Sequence, residues 1–547
     1  MTAKIFGAIA VAILPATAAA QWQPGGVALG NGRFPAIVSD GAGGAIVAWD
    51  YAGLQIKAQR LDSSGVAQWN PGGVTLSTSA PGLYALPFVV SDGAGGAIVL
   101  WNQPLRAQRV NADGVAQWTP GGVIVCQTVV TSTAAAVHDD AGGVIVAWQD
   151  HRPEEARPFA EEHIFAQRLT ANGVPQWTPN GVMLSDPNLL QFGTWIVPDD
   201  AGGAIVLWNQ LYWDDTYFEW YDEDVYAQRL DASGNKLWAG TLNGAPIVNN
   251  PFIFDQISHA APDGSGGAFI GHIGEGCFVQ KIDENGSPQW GGGVEVGVFQ
   301  PLEPFVISDM EGGVLVAWQE DGNVRNIFAQ RLNSDGIPVW PAPSTPVSTA
   351  PGNQIIWDMA SDGAGGALIV WHDLRADNNF RDVYAQHLRS WGSPEWDANG
   401  KMIANGPRDQ QDPVLISDGA NGAIIAFDDT PPTGLTQVKV QHVTSISTGI
   451  DDRAAFAGLS VSDGYPNPFL AGTRFEIALA RSAYVTTEVF DVSGKRLRHT
   501  MARHARGNHV AWFDGCDDSG NALPSGVYFY RVNANGSTIT KKTVLAR

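Results

Sequence analysis

The densest run of side chains able to do chemistry is NQLYWDDTYFEWYDED, Asn209 to Asp224, expected as a long connecting loop between two strands. Trp213, Tyr217, Phe218, Trp220 and Tyr221 stand there among Asp214, Asp215, Glu219, Asp222, Glu223 and Asp224. Flat aromatic faces beside carboxylates suit the stacking of a sugar ring with hydrogen bonds to its hydroxyls, and carboxylates alone suit a hard cation such as Ca²⁺. No D-x-D-x-D-G spacing accompanies them, so no metal site is expected. The residues put forward for ligand binding are Trp213, Tyr217, Trp220, Tyr221, Asp214 and Asp222. The alternative is a segment that folds over its own surroundings as a small local core. A second long variable segment, DHRPEEARPFAEEH, runs from Asp150 to His163.

The short motifs that announce a catalytic mechanism are missing. There is no H-E-x-x-H, G-x-S-x-G or Walker A stretch. Cys126, Cys277 and Cys516 are too far apart for a thiolate metal site or a disulfide framework, and read as small buried hydrophobes, with one bridge between two of them left open. No catalytic residue is named and no cofactor is called for. With 55 acidic residues, spacing alone cannot choose a carboxylate pair for hydrolysis. A formal net charge of −23, from 32 Lys and Arg against 55 Asp and Glu, repels phosphate backbones and argues against a nucleic-acid partner.

The elements that must position these residues come from a repeat. DGAGGAIVAW (Asp40 to Trp49) recurs as DGAGGAIVLW, DAGGVIVAW, DAGGAIVLW, DGSGGAFIGH, DMEGGVLVAW, DGAGGALIVW and DGANGAIIAF, the last ending at Phe427. Trp49 and Phe427 are 378 positions apart over seven intervals, a mean period of 54. The glycines can take positive φ, so each copy reads as a tight hairpin. Its second strand is apolar at consecutive positions, which requires cover on both faces. A third strand carries a repeated Gln (Gln59, Gln108, Gln167, Gln228, Gln280, Gln330, Gln386, Gln441), expected as a buried hydrogen-bonding partner. An Asp/Asn/Ser-Gly turn then leads to a fourth strand bearing Trp69 or its equivalents Trp22, Trp118, Trp177, Trp238, Trp290, Trp340 and Trp396.

Four-stranded sheets buried on both faces and repeated eight times predict an all-β fold with an eight-bladed β-propeller over residues 21–445. The last unit lacks a fourth strand and the chain opens with one, so residues 21–30 are expected to close the ring. An open solenoid is the alternative. Of the 20 Trp, 14 occupy the two repeated positions and are expected to pack between blades. The stretch LDASGNKLW, Leu230 to Trp238, resembles the tryptophan-docking motif of eight-bladed quinoprotein propellers and of related outer-membrane assembly propellers, with the Asp-to-Gly interval one residue shorter. That resemblance implies the fold more than any function.

Residues 446–463 read as a linker. From 460 onward 11 Lys and Arg face 7 Asp and Glu, a reversal of sign that marks a separate module. Strands are predicted at Arg474 to Leu479, Val485 to Val492, His509 to Phe513, Gly526 to Val532 and Thr538 to Leu545, a small antiparallel Ig-like β-sandwich over residues 464–547. YPNPF (Tyr465 to Phe469), VFDVSG (Val489 to Gly494), PSGVYF (Pro524 to Phe529) and TKKTVL (Thr540 to Leu545) occur in that order. In this it resembles the C-terminal sorting domain of type IX secretion cargo, and equally the similar Ig-like domain of the flagellar hook-capping family. The first resemblance implies recognition by the secretion machinery through the ending that includes Lys541 and Lys542, and an outer-membrane-exterior or secreted location. The second leaves a plain accessory domain as the alternative.

Residues 1–20, MTAKIFGAIAVAILPATAAA, carry a Lys, an apolar stretch from Ile5 to Leu14 and Ala18 and Ala20 before Gln21, the pattern of a cleaved secretory signal peptide. No later segment is apolar enough to predict a transmembrane helix. The function expected is a secreted or surface-attached, non-catalytic propeller binding glycan or protein. The alternatives are a propeller glycoside hydrolase acting on extracellular polysaccharide and a quinone-dependent dehydrogenase.

Overall fold

The repeated Asp-Gly-rich segments are turns between antiparallel strands. In the computed structural model Ser39 pairs with Ala45 across the first of them, and the Asp40 carboxylate accepts hydrogen bonds from the amides of Ala42 and Gly44, both at 2.8 Å. Gly41 and Gly43 sit at φ of 73° and 82°, which only a residue without Cβ adopts freely. The strand that follows, Ala45–Tyr51, buries Ile46, Val47 and Trp49 completely, side chains that point to opposite faces of the same sheet. Both faces are thus covered.

The structure describes residues 22–547 except 23–24, 79–85, 103, 128, 131–133, 152–161, 187–188, 215–218, 239–243, 251–254, 298–300, 323, 341–343, 377–379, 407–408, 445–458, 463, 465, 480–482, 493, 505–506 and 535–536. The expected signal peptide and most of the expected linker lie outside the described residues. All described elements are β-strands, and no described helix is long and apolar enough to cross a membrane. The chain divides into two units, Met1–Thr444 and Ser445–Arg547.

Among its described residues the first unit holds eight antiparallel sheets, each built on four strands in chain order, with a short extra strand, Val129–Val130, in the third. The eighth is completed from the other end of the chain. Val27–Asn31 pairs with Gln437–Val443, so the order in this sheet is first segment of the chain, then the last three strands in reverse. The first strands of successive sheets touch one another in sequence, and the series returns on itself where Arg33–Ser39 meets Gln410–Ser417. A core of Leu29, Val47, Trp49, Ile424, Ala426 and Val440 seals that junction. The arrangement is a β-propeller.

Neighbouring sheets are held by the repeated Trp. The Trp69 indole donates to the Ala112 carbonyl in the next sheet at 2.9 Å and lies on Gly114, where a Cβ would come within 2.6 Å of its ring. Trp118, Trp177, Trp238, Trp290 and Trp340 repeat this bond to Ala171, Ala232, Glu284, Ser334 and Ser390. Trp22 makes it across the junction, donating to Ser63 at 3.1 Å over Gly65. The repeated Gln is structural: Gln59 donates to the Asn70 carbonyl and accepts from the Trp69 amide, both at 2.9 Å.

One expectation needs correction. Trp69 is not on the fourth strand, which is only Val74–Thr75; it precedes it, separated by Asn70-Pro71-Gly72-Gly73. Pro71 has no amide to offer a ladder, and Gly72 and Gly73 take φ of 77° and 81°, so the strand cannot begin sooner.

The second unit packs a three-stranded sheet and a four-stranded sheet around Phe469, Phe475, Val489, Phe513, Tyr530 and Leu545, with Phe475 and Tyr530 stacked at 4.1 Å. Two strands escaped the sequence pattern, Leu459–Val461 and Arg496–His504. The second, RLRHTMARH, is mostly exposed at a sheet edge and has no apolar alternation to betray it.

Deleting residues 21–30 should lower the stability of the first unit by several kcal/mol, since it removes the fourth strand of a sheet and the Trp22 dock together. Trp22→Ala alone should cost about 2 kcal/mol, less than a fully buried Trp because Trp22 is half-buried. Chemical denaturation of the two variants checks both, and an unchanged midpoint for the deletion would refute closure by this strand.

Candidate functional site

The face of the ring that carries the repeated turns is occupied by its own scaffold. Arg60 bridges the Asp40 carboxylate at 3.0 Å and reaches the Ala112 carbonyl of the next sheet at 3.2 Å. Arg109, Arg168, Arg229 and Arg331 do the same from Asp92, Asp139, Asp199 and Asp309. In the seventh and eighth sheets His387 and His442 take the place of Arg, 2.9 and 2.7 Å from Asp362 and Asp418. These carboxylates are spent on holding turns and neighbours.

The opposite face carries the connections that vary. There the aromatic and acidic segment expected as a loop is instead a β-hairpin arm. The second and third strands of the fourth sheet run Ala204–Asp214 and Glu219–Leu230, 11 and 12 residues, against 7 and 7 in the seventh. Tyr, Trp and Val favour extended backbone, and the ladder simply continues outward through them. Tyr212 stands opposite Asp222, Trp213 opposite Trp220, and Asp214 opposite Glu219, with a register shift that leaves Tyr221 as the extra residue. The hairpin thus brings Trp213, Trp220, Asp214, Tyr221 and Asp222 to one outer end. Tyr217 lies outside the described residues. The Asp150 to His163 segment is likewise a strand pair as far as His151 opposite Glu162, and its residues 152–161 lie outside the described residues.

The base of the arm is a buried polar cluster that the sequence pattern did not single out. Tyr212 and Tyr226 share a 2.7 Å hydrogen bond between hydroxyls, and Gln210 donates to Tyr212 at 2.8 Å. Burial, then Tyr226, pushes the Tyr212 hydroxyl far above its ordinary pKa. On the other face of the strand that carries Tyr226, Glu223 is buried, and burial together with the charges of Asp255 and Asp224 pushes its carboxyl up to about 7. Asp255, on the fifth sheet's side, donates its amide to the Glu223 carbonyl at 2.7 Å and accepts from Asn250 at 2.7 Å. His272 is buried with its Nδ1 3.7 Å from Asp255, too far for a hydrogen bond, and stacks on Phe278. Among the described residues no three such groups converge as metal ligands. What the cluster offers is a carboxyl that holds or releases a proton near neutrality beside two carboxylates.

A second carboxyl pair also went unread in the sequence. Where the first strand of the eighth sheet bulges, Asp412 takes φ of 51° immediately before Pro413, and its amide donates to His372 Nε2 at 2.9 Å. That imidazole is neutral, since burial and then Arg381 lower its pKa to about 4. Asp428, receiving the Phe34 amide at 3.1 Å, is pushed up to about 8 chiefly by burial. The signal in the sequence was Asp412-Pro413, matched at Phe34-Pro35 and Glu303-Pro304, each with positive φ before the proline. Periodicity does not reveal such a bulge.

In the second unit the quoted motifs meet at one end of the sandwich. The Phe469 amide donates to the Val544 carbonyl at 2.8 Å, the Val544 amide to the Asn467 side chain at 2.8 Å, and the Ala546 amide to the Phe469 carbonyl at 2.8 Å. YPNPF and TKKTVL are therefore one joined surface. Residues 464–546 match the family model described as the secretion system C-terminal sorting domain. They form such a sorting domain. It marks the chain for type IX secretion to the cell surface or beyond. Within the sorting domain Lys541 and Lys542 lie on the edge strand Ser537–Leu545, Lys542 exposed and Lys541 half-buried.

No curated protein matches the chain. Among solved structures, a protein from Dyadobacter fermentans is 10% identical, covering 57% of this chain and 94% of its own, with a TM-score of 0.34. The alpha-L-arabinanase of Penicillium chrysogenum is 9% identical over 77% of this chain and 98% of its own, TM-score 0.31. PorZ, a surface component of the type IX secretion system of Porphyromonas gingivalis, is 12% identical over 94% and 81%, TM-score 0.19. Outside the sorting domain these identities carry nothing about activity.

Because the folded pKa of Glu223 is raised from 4.5 to about 7, the stability it contributes is full below the lower value and is lost as pH rises through the higher one. Glu223→Gln should remove that part of the pH dependence. Melting temperatures of wild type and variant across this range check it, and parallel curves would show that Glu223 titrates normally.

Proposed function

We propose that this secreted propeller is a non-catalytic binding protein, its ring closed by eight blades, which takes a glycan or protein ligand at the hairpin arm of the fourth. The observation that carries the reading is the arm itself. Among the described residues one blade is extended past the others, on the face opposite the repeated Asp–Arg pairs, and its outer end pairs Trp213 with Trp220 beside Asp214, Tyr221 and Asp222. Paired aromatics with carboxylates at their flank are the composition of a carbohydrate platform or of a protein hot spot. The rigid cluster of Tyr212, Tyr226 and Gln210 at its base supports preorganisation, which limits the ordering entropy a ligand must overcome.

A polysaccharide hydrolase is the second reading, favoured by Glu223 alone. A carboxyl with a pKa of about 7 beside the carboxyl groups of Asp224 and Asp255 is what a general acid working near neutrality requires. A glycan panel read both for binding and for released reducing ends separates the two. Reducing ends that disappear in Glu223→Gln would establish hydrolysis in place of simple binding.

For the binding reading, Trp213→Ala and Trp220→Ala should each weaken a bound glycan or protein by about 1–3 kcal/mol with little change in melting temperature. Unchanged affinity, or a large fall in melting temperature, would mean that these residues only pack the arm. For export, we propose that Lys541 and Lys542 belong to the sorting signal. Lys541→Ala/Lys542→Ala keeps the core of the domain and should retain folded protein in the periplasm of a host with type IX secretion, as followed by cell fractionation. Unaltered surface delivery would leave these two side chains without a sorting role.

A further inference from the structure

The first strands of the propeller sheets share one irregularity. At the same level in six of the eight sheets the strand carries one residue too many for its partner, at Phe34-Pro35, Gly193, Ser258, Glu303-Pro304, Trp357 and Asp412-Pro413. A bulge turns a side chain out of the ladder, and Phe34, Glu303 and Asp412 do so at φ of 56°, 35° and 51°, a conformation that non-glycine residues keep only under constraint. The first strands are the ones that meet around the ring, so the bulges lie at its centre, on the half of each strand away from the repeated turn. In the fourth and fifth sheets the extra residue is small. In the sixth, seventh, eighth and first, which are consecutive around the ring, it brings Glu303, Trp357, Asp412 and Phe34.

Trp357 is 42% exposed although it lies on an inner strand, and its N–H has no hydrogen-bond partner among the described residues. Its ring rests on the His372 imidazole at 4.6 Å between centroids, and Nε2 of that imidazole accepts the Asp412 amide at 2.9 Å. One imidazole thus sets the indole of the seventh sheet beside the carboxyl of the eighth. Asp358 fastens the two strands, accepting the Leu415 amide at 2.9 Å and the Met359 amide at 2.8 Å. Asp412 shares a hydrogen bond with Asp428. Two carboxyl groups bond only through a proton, which stays on Asp428, the more buried of the two, and leaves Asp412 as the acceptor. Arg381 lies close enough to act on both Asp412 and His372, yet among the described residues its side chain makes a single hydrogen bond, from Nη1 to Gln411 at 3.0 Å.

The mixture of charges selects the ligand. Arg33 and Arg381 oppose a cation, and Asp409 and Asp412 oppose an anion. A neutral sugar suits both signs, because its hydroxyls donate to a carboxylate and accept from a guanidinium while the C–H face of the ring covers an indole. We propose that the bulged inner strands of the seventh and eighth sheets form a binding site for a single neutral sugar ring, stacked on Trp357 with neighbouring hydroxyls held between Asp412 and Arg381. The site is separate from the arm of the fourth sheet and does not depend on that arm having a ligand.

Saturation-transfer NMR of the full chain with the methyl glycosides of glucose, galactose, mannose, xylose and arabinose tests this. At least one should bind saturably, and about tenfold or more weakly in Trp357→Ala and in Asp412→Asn. Trp357→Phe, which keeps a stacking face, should recover part of the loss. Should Asp412→Asn upset the pair with Asp428 and fold poorly, Arg381→Gln alters a half-buried side chain and must weaken the sugar likewise. The anionic uronic acid and the cationic amino sugar that correspond to the bound glycoside should both bind less well than it does. No saturable binding of any of these glycosides, binding that survives both Trp357→Ala and Arg381→Gln, or tighter binding of a charged counterpart would overturn the assignment. Binding that Trp213→Ala abolishes and Trp357→Ala leaves intact would belong to the arm and overturn it equally.

Discussion

The propeller depends on one contact made again and again: an indole laid on a glycine of the next blade, with its N–H given to a carbonyl in the same turn. Gly114 under Trp69 and Gly65 under Trp22 take φ of 79° and 80°. A side chain there would be strained by the backbone and would also meet the ring. Sheets that cover both faces of each other need no particular angle, because apolar burial is not directional. The indole hydrogen bond supplies the direction, and repetition turns it into a ring.

The contact fails at one blade boundary, and the reason is topological. Trp396 of the seventh blade should dock on the turn between third and fourth strands of the eighth, but there the chain leaves after Gln437–Val443 and the fourth strand comes from the other terminus. Trp396 Nε1 has no hydrogen-bond partner among the described residues. The same blade carries Phe427 in place of Trp and the positive-φ Asp412. A blade assembled from two ends of a chain lacks one covalent turn, and the irregular features gather where the repeat is broken.

Function divides along the two faces for a related reason. The turn face is committed, its carboxylates holding Arg side chains that reach the next blade or, in the seventh and eighth, a His. Changing one residue there disturbs two blades. On the other face the repeated Asp–Arg pair is not part of the connection between second and third strands, so an arm can lengthen by continuing its ladder, as Ala204–Asp214 and Glu219–Leu230 do. Desolvation at its base is then unavoidable, and Glu223 answers by holding its proton to about pH 7.

The sequence by itself determined the architecture, because a period of 54 residues with glycine turns, consecutive apolar positions and two Trp positions admits few arrangements. Trp22, standing ahead of a strand with no preceding partners, already implied how the last sheet is completed. The YPNPF and TKKTVL stretches, 71 positions apart at their nearest residues, were legible as one module though only folding shows them hydrogen-bonded. Local pattern could not decide whether Asn209 to Asp224 is loop or ladder, since Asp and Glu depress strand propensity while Trp and Tyr raise it and cross-strand pairing tips the balance. Nor could it find Asp255 beside Glu223, or Asp412 and His372 beside each other. Those depend on distances between blades, and only the tertiary structure decides which side chains remote in sequence share a buried volume.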